Sequence, residues 1–167
     1  IELKNAADED ATIWSAYQQL QTYKAEIPTL LCYNAALIVS DGVQARIGSL
    51  TANQEWFKVW RTIAGDADAP AGTLEVETLV RGVFDRERLL RLLENFIVFE
   101  EDPDSGALHK IIAGYHQFHA VNAAVEETVR ASGMSAENVL GETPGTSWAG
   151  KMHGGKPGDR RAGVVWH

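Results

Sequence analysis

The pattern of apolar and polar positions changes its period several times along the chain. Ile1-Glu2-Leu3-Lys4 alternates apolar with charged residues and predicts the end of a strand. Asn5 to Asp10 are short or acidic, which suits a turn leading into a helix N-terminus. From Ala11 to Ala25 the residues Ile13, Trp14, Tyr17 and Leu20 recur at helical spacing, and Pro28 stops the run. Ala36 to Ser40 is apolar and β-branched, Asp41-Gly42 is a tight-turn signal, and Gln44 to Leu50 alternates weakly, so a β-hairpin is expected. Trp56, Phe57 and Trp60 then cluster and are expected to seal a core edge.

Residues 64 to 73 have the composition of an exposed connection and set a boundary at 64. Beyond it the pattern predicts helices over Thr73 to Phe84 and Asp85 to Phe99, the second with Leu89, Leu92, Leu93 and Phe96 on one side. Asp102-Pro103-Asp104-Ser105-Gly106 breaks the chain, and a long helix is expected from Leu108 to Ala131. Residues 141 to 160 are glycine-rich, include Pro144 and Pro157, and read as a flexible loop. Ala162 to His167 read as a strand.

Composition adds bounds. With 167 residues, 45% hydrophobic and 23% charged, the chain has the mixture of a packed domain and no fibrous or globally disordered bias. The longest apolar stretch, Leu30 to Val39, falls far short of the roughly 20 residues that span a bilayer and is broken by Asn34. Cys32 is the sole cysteine, so no internal disulfide and no thiolate cluster can form. With no secretory segment, the cytoplasm is the expected compartment. The first residue is Ile1 and falls inside a strand pattern, so a preceding segment is expected. A net charge of -8 argues against a free-standing nucleic-acid binder. The balance is uneven: 61 to 104 hold eleven acids and five bases, while Lys151, Lys156, Arg160 and Arg161 make the tail basic.

Two pairs of residues carry candidate chemistry. Mg2+-assisted phosphodiester hydrolysis needs hard oxygen ligands, a positive charge for the phosphorus centre and an oriented water. In a strand, Glu2 and Lys4 share one face, so the carboxylate could bind the metal while the ammonium neutralises the scissile phosphate. Gln19 and Tyr23, four apart, stack on one helix face as polar partners. A Glu-x-Lys tripeptide alone also describes an ordinary exposed ion pair.

The order of elements narrows this. A strand ending in Glu-x-Lys, a turn, a helix with Gln-x-x-x-Tyr and a further strand resemble the second half of the PD-(D/E)xK nuclease core. More specifically, Glu2-Leu3-Lys4-Asn5 with the run Trp14 to Lys24, then Ser40-Asp41-Gly42 and Ala45-Arg46-Ile47-Gly48, resembles the restriction subunit of type I restriction-modification enzymes over essentially the whole chain. The resemblance implies an α/β fold: 1 to 63 as the C-terminal half of a nuclease domain, 64 to 140 as a helical segment, 141 to 160 as a loop, and 161 to 167 as the first strand of a RecA-like motor. It implies Mg2+-dependent cleavage of duplex DNA, ATP-driven translocation, and methyltransferase and specificity subunits as partners. Glu2, Lys4, Gln19 and Tyr23 match its catalytic positions, with Glu2 as metal ligand. The motif's first acid is expected upstream of Ile1, and this stretch by itself is expected to be inactive.

The same resemblance assigns Gln117, in Tyr115-His116-Gln117-Phe118-His119, to reading adenine, a role a carboxamide can fill because it both donates and accepts. His116 and His119 lack a third ligand at matching spacing and read as ordinary imidazoles. Gly154-Gly155-Lys156 is followed by Pro157, so it is not a phosphate-binding loop, and no ATP hydrolysis is expected from this stretch. Two other readings stay open: a non-catalytic interaction or linker module, and a repair nuclease with the same core.

Overall fold

The computed structural model describes residues 1–5 and 12–132. The expected loop at 141–160 and strand at 161–167, like the acidic turn at 6–11, lie outside them. Eleven elements follow in order: β1 (Glu2–Leu3), α1 (Ile13–Glu26), a 3-10 turn (Pro28–Leu30), β2 (Leu37–Ser40), β3 (Ala45–Gly48), a second 3-10 turn (Gln54–Trp56), α2 (Glu75–Val83), α3 (Arg86–Asn95), β4 (Ile97–Glu101), β5 (Leu108–Ile112) and α4 (Tyr115–Ser132). The fold is mixed α/β, with two small sheets.

The described residues form two compact units, one within residues 1–63 and 68–115, the other of 64–67 and 116–132. In the first, β1 and β2 are parallel, with Glu2 opposite Val39 and Leu3 opposite Ser40, so α1 is the crossover helix that parallel pairing demands. β3 returns antiparallel to β2, from Leu37 opposite Gly48 to Ser40 opposite Ala45. Thr12 caps α1: its Oγ1 accepts from Ser15 N, and Ser15 Oγ accepts from Thr12 N, both at 3.1 Å. The helix ends at Glu26, one residue before the Ile27-Pro28 pair that cannot continue it.

Alternation along β2 divides the core. Leu37 and Val39 face α1 and pack with Ile13, Ala16, Tyr17, Leu20, Leu31 and Phe57. Ile38 and Ile47 are buried on the other face, where α2 lies against β3 with Leu79 and Val83 buried. Phe57 meets Tyr17 edge-on at 5.1 Å. Phe57 and Trp60 are buried as expected, but Trp56 is exposed, with the Lys58 ammonium 5.1 Å from its ring centroid. The edge of β3 is closed by an Ile47–Lys58 bridge and by Glu75, which accepts from Ala45 N at 3.0 Å and pairs with Arg46.

Two expected helices need correction. The helix starting at Asp85 stops at Asn95, and Ile97–Glu101 forms β4; the stretch from Leu108 opens with β5 and becomes helical only at Tyr115. β4 and β5 pair antiparallel from Ile97 opposite Ile112 to Glu101 opposite Leu108, about the Asp-Pro-Asp-Ser-Gly turn. In the second unit, α4 buries Phe118, Asn122, Arg130 and Ala131, and Arg130 Nη2 pairs with Glu127 Oε2 at 2.7 Å. Among the described residues no helix is long and apolar enough to cross a membrane.

Candidate functional site

β1 ends beside the C-terminal end of β2, where Lys4 N donates to Ser40 O at 2.8 Å. That bond fixes the backbone on which the candidate acid and lysine stand. Because Glu2 is opposite Val39, its side chain shares the sheet face that α1 covers, and Lys4, two residues on, shares it too. Lys4 Nζ lies 3.5 Å from Glu2 Oε1, and both side chains are partly buried, 27% and 19% exposed. Leu3, pointing the other way, is exposed. An ion pair with this much residual exposure contributes little to folding. It does hold a carboxylate and an ammonium side by side at a sheet edge.

Gln19 and Tyr23 lie on α1, the helix over that face, one turn apart along one flank of its buried stripe. Both are partly buried, and Tyr23 packs against the α1 core. Among the described residues neither is hydrogen-bonded to Glu2 or Lys4. Toward the other flank, Lys24 Nζ donates to Gln21 Oε1 at 3.2 Å, and burial pushes the Lys24 ammonium below its ordinary pKa. Gln21 Nε2 is buried without a partner among the described residues.

Sequence reasoning passed over Ser40, the residue that links β1 to the hairpin. It is fully buried; its Oγ donates to Gln44 O at 2.7 Å and accepts from Gly42 N at 3.0 Å, while its carbonyl holds Lys4. The available signal was a serine immediately before Asp-Gly at a strand end, where a short hydroxyl bonds the turn backbone.

Gln117 is exposed in the first turn of α4, and His116 is exposed beside it. Phe118 and His119 meet edge-on at 5.3 Å. Among the described residues there is no group of three or more His, Cys, Asp or Glu that could hold a metal ion.

A mixed α/β unit with a carboxylate and an ammonium paired on an edge strand, beneath a polar-flanked crossover helix, is the kind of scaffold on which a hydrolytic site can be built. Residues 1–56 match the family described as type I restriction enzyme R protein N terminus. The chain belongs with the restriction subunits of type I restriction-modification enzymes. It is 38% identical over 170 residues to the type I restriction enzyme HindI endonuclease subunit of Haemophilus influenzae, covering 99% of this chain and 14% of that protein. A Methanocaldococcus jannaschii protein assigned as the endonuclease subunit of the type I restriction enzyme MjaIXP is 28% identical over 172 residues, covering 93% of this chain and 14% of that protein. The chain thus spans about one seventh of the length of these relatives. No solved structure matches it.

Proposed function

We propose that this chain carries part of the Mg2+-dependent DNA-cleavage site of a type I restriction subunit, and that residues 1–63 are the second half of a PD-(D/E)xK nuclease core. The observation that carries the reading is the pairing of Glu2 with Lys4 at 3.5 Å on the sheet face covered by the helix bearing Gln19 and Tyr23. The names of the relatives, both endonuclease subunits, support it.

In this reading Lys4 acts on the DNA phosphate. Its ammonium donates to a non-bridging oxygen, offsets the charge that builds up as water attacks phosphorus, and orients that water. Glu2 keeps the ammonium in place before substrate arrives. Gln19 can donate and accept at one centre, and the Tyr23 hydroxyl is a second polar group on the same helix flank. Mg2+, which would supply Lewis-acid activation of the phosphate and water, can take Glu2 as one hard oxygen ligand. One carboxylate is not a complete site, so no step is assigned to the metal.

The whole subunit, in this proposal, translocates duplex DNA with ATP, works with methyltransferase and specificity subunits, and uses Gln117 to read adenine. Residues 64–140 lead toward a RecA-like motor.

The test uses the full-length subunit assembled with its partners. Lys4→Ala and Glu2→Gln should each reduce DNA cleavage by about 100-fold or more, the usual worth of one charge-stabilising group. DNA-stimulated ATPase should stay within about twofold. Cleavage at the wild-type rate in Lys4→Ala would sink the assignment. Gln117→Ala should raise the KM for ATP, and an unchanged KM removes its adenine role.

The 3.5 Å, partly solvated Glu2–Lys4 contact is also that of an ordinary surface ion pair, which supports a second reading, a non-catalytic interaction module. Wild-type cleavage in all four single variants, Glu2→Gln, Lys4→Ala, Gln19→Ala and Tyr23→Phe, would favour it over the catalytic one.

A further inference from the structure

The β4–β5 hairpin is anchored at its base and at Lys110 in the middle of β5, and leaves apolar side chains exposed on both faces. Thr51 Oγ1 accepts from Lys110 N at 2.7 Å and donates to Lys110 O at 3.1 Å; Lys110 Nζ donates to Asn34 O at 3.0 Å; Ala113 N donates to Phe96 O at 3.0 Å. Around these bonds four large apolar side chains stand in solvent: Val98 at 55% and Ile111 at 40% exposed, between the Phe96–Ala113 bond and the Lys110 anchor, Phe99 at 62%, opposite Lys110, and Leu108 at 58%, nearer the turn. Val98 and Ile111 are directly opposed and form one apolar pair on one face; Phe99, on the other, is opposite Lys110. β4 also has no described strand on its outer edge.

Apolar strand pairs left open on a two-stranded ribbon are costly. Such a ribbon is marginal in water by itself, and an open edge with exposed apolar side chains invites pairing. The tip narrows what can cover it. Glu100, Glu101, Asp102 and Asp104 crowd one end, with His109 opposite Glu100, and Lys110 on β5 is already bonded to Asn34. A phosphate backbone would be repelled there. In the relatives most of the polypeptide lies outside the part this chain matches. A surface in the same polypeptide has the advantage of a high effective concentration.

We propose that the Val98–Ile111 face of this hairpin docks against a part of the same polypeptide C-terminal to His167, one that presents an apolar strip rimmed by Lys or Arg. The inference rests on membership of the longer subunit and not on the cleavage site, so the Lys4 experiment and this one fail independently.

In the full-length subunit a photo-crosslinking amino acid replaces Val98. A crosslink to a residue beyond 167 in the same chain is expected. A crosslink to a second copy or to DNA, or none, overturns the proposal. Hydrogen exchange gives an independent readout on the double variant Val98→Lys/Ile111→Lys. Exchange should rise about tenfold in one peptide beyond residue 167 as well as in 97–112, as for loss of an interface anchor, with β2 and β3 unchanged. A rise confined to 97–112 overturns the proposal. Should the double variant fail to fold, the crosslinking result decides.

Discussion

The carbonyl oxygen of Thr62 occupies the space where a side chain on Gly82 would begin. A Cβ built there falls 2.1 Å from that oxygen and 2.6 Å from Nε1 of Trp60, which itself donates to Thr62 O at 2.9 Å. The close approach of α2 to this loop therefore depends on the missing methyl. Gly82→Ala should destabilise the protein by about 1–3 kcal/mol, the range for overpacking, even though alanine is the better helix former. Chemical denaturation of the two proteins measures it, and equal midpoints would mean that α2 can move away without cost.

Phe57 holds the α1 face of the sheet. It is buried, meets Tyr17 edge-on and lies against Gly48, where a Cβ would come within 2.7 Å of the ring. Phe57→Ala should cost about 3–5 kcal/mol, the usual loss for a buried aromatic. A loss under about 1 kcal/mol in an equilibrium unfolding experiment would show that the ring is not a core element. Trp56→Ala, one residue earlier on an exposed side chain, should change stability by less than about 0.5 kcal/mol.

The contrast between those neighbours shows what was legible from sequence. Periodicity found α1 because Ile13, Tyr17 and Leu20 bury one stripe, and it found the β2–β3 hairpin because β-branched residues flank Asp41-Gly42. It separated neither Trp56 from Trp60 nor β4 from α3, since one apolar residue after another fits either a helix stripe or a strand. Leu89, Leu92 and Phe96 carry helical spacing up to the point where Ile97-Val98-Phe99 takes over, and only pairing with Leu108–Ile112 decides the matter. The turn Asp-Pro-Asp-Ser-Gly reads as a break, and its β-branched and aromatic flanks carry the hairpin signal. The order of elements and the resemblance point to Glu2, Lys4, Gln19 and Tyr23, whereas Ser40 and Glu75 act through bonds between segments distant in sequence.

Glu2 and Lys4 allow a separation of chemistry from folding. Their ion pair is 3.5 Å long and partly solvated, so Lys4→Ala should alter unfolding free energy by less than about 1 kcal/mol. A variant that has lost cleavage but unfolds like the wild type would have lost a chemical group; one with a markedly lower unfolding midpoint would point to a structural lysine.

Asp102 makes the β4–β5 turn sensitive to pH. Its Oδ1 accepts from Ser105 N at 2.7 Å, Ser105 Oγ at 2.9 Å and Asp104 N at 3.0 Å. These bonds, the Ser105 backbone first, hold its carboxyl below the ordinary value of 3.8. A depressed folded pKa means the stabilisation is complete above the unfolded value and is lost as pH falls through the folded one. Amide protection at Asp104 and Ser105 should therefore be flat near neutrality and decline below about pH 4. Asp102→Asn keeps the acceptor oxygen but not the charge, so its protection should be weaker and lack that decline. A wild-type profile that stays level to pH 2 would remove Asp102 as the cause.

Arg88 is a buried cation bonded to backbone. Nη1 donates to Ile63 O and to Gly82 O, both at 2.9 Å, so one side chain joins α3, the end of α2 and the loop after Trp60. Burial lowers its pKa, partly offset by the carboxylate of Asp85, which also caps α3 by accepting from Arg88 N at 3.0 Å. Nε, meanwhile, is buried without a partner among the described residues. Arg88→Ala removes the donor from two carbonyls and leaves a cavity, and a loss of about 1–3 kcal/mol is expected, as for leaving buried acceptors unsatisfied. Arg88→Met fills the same volume without a buried charge; it should recover part of that loss, since removing the cation also removes its desolvation cost. Because Gly82 O is shared, the effects of Gly82→Ala and Arg88→Ala should not add, and a double-mutant cycle should show coupling above about 0.5 kcal/mol. Strict additivity would mean that Arg88 supports α3 alone and has no part in seating α2.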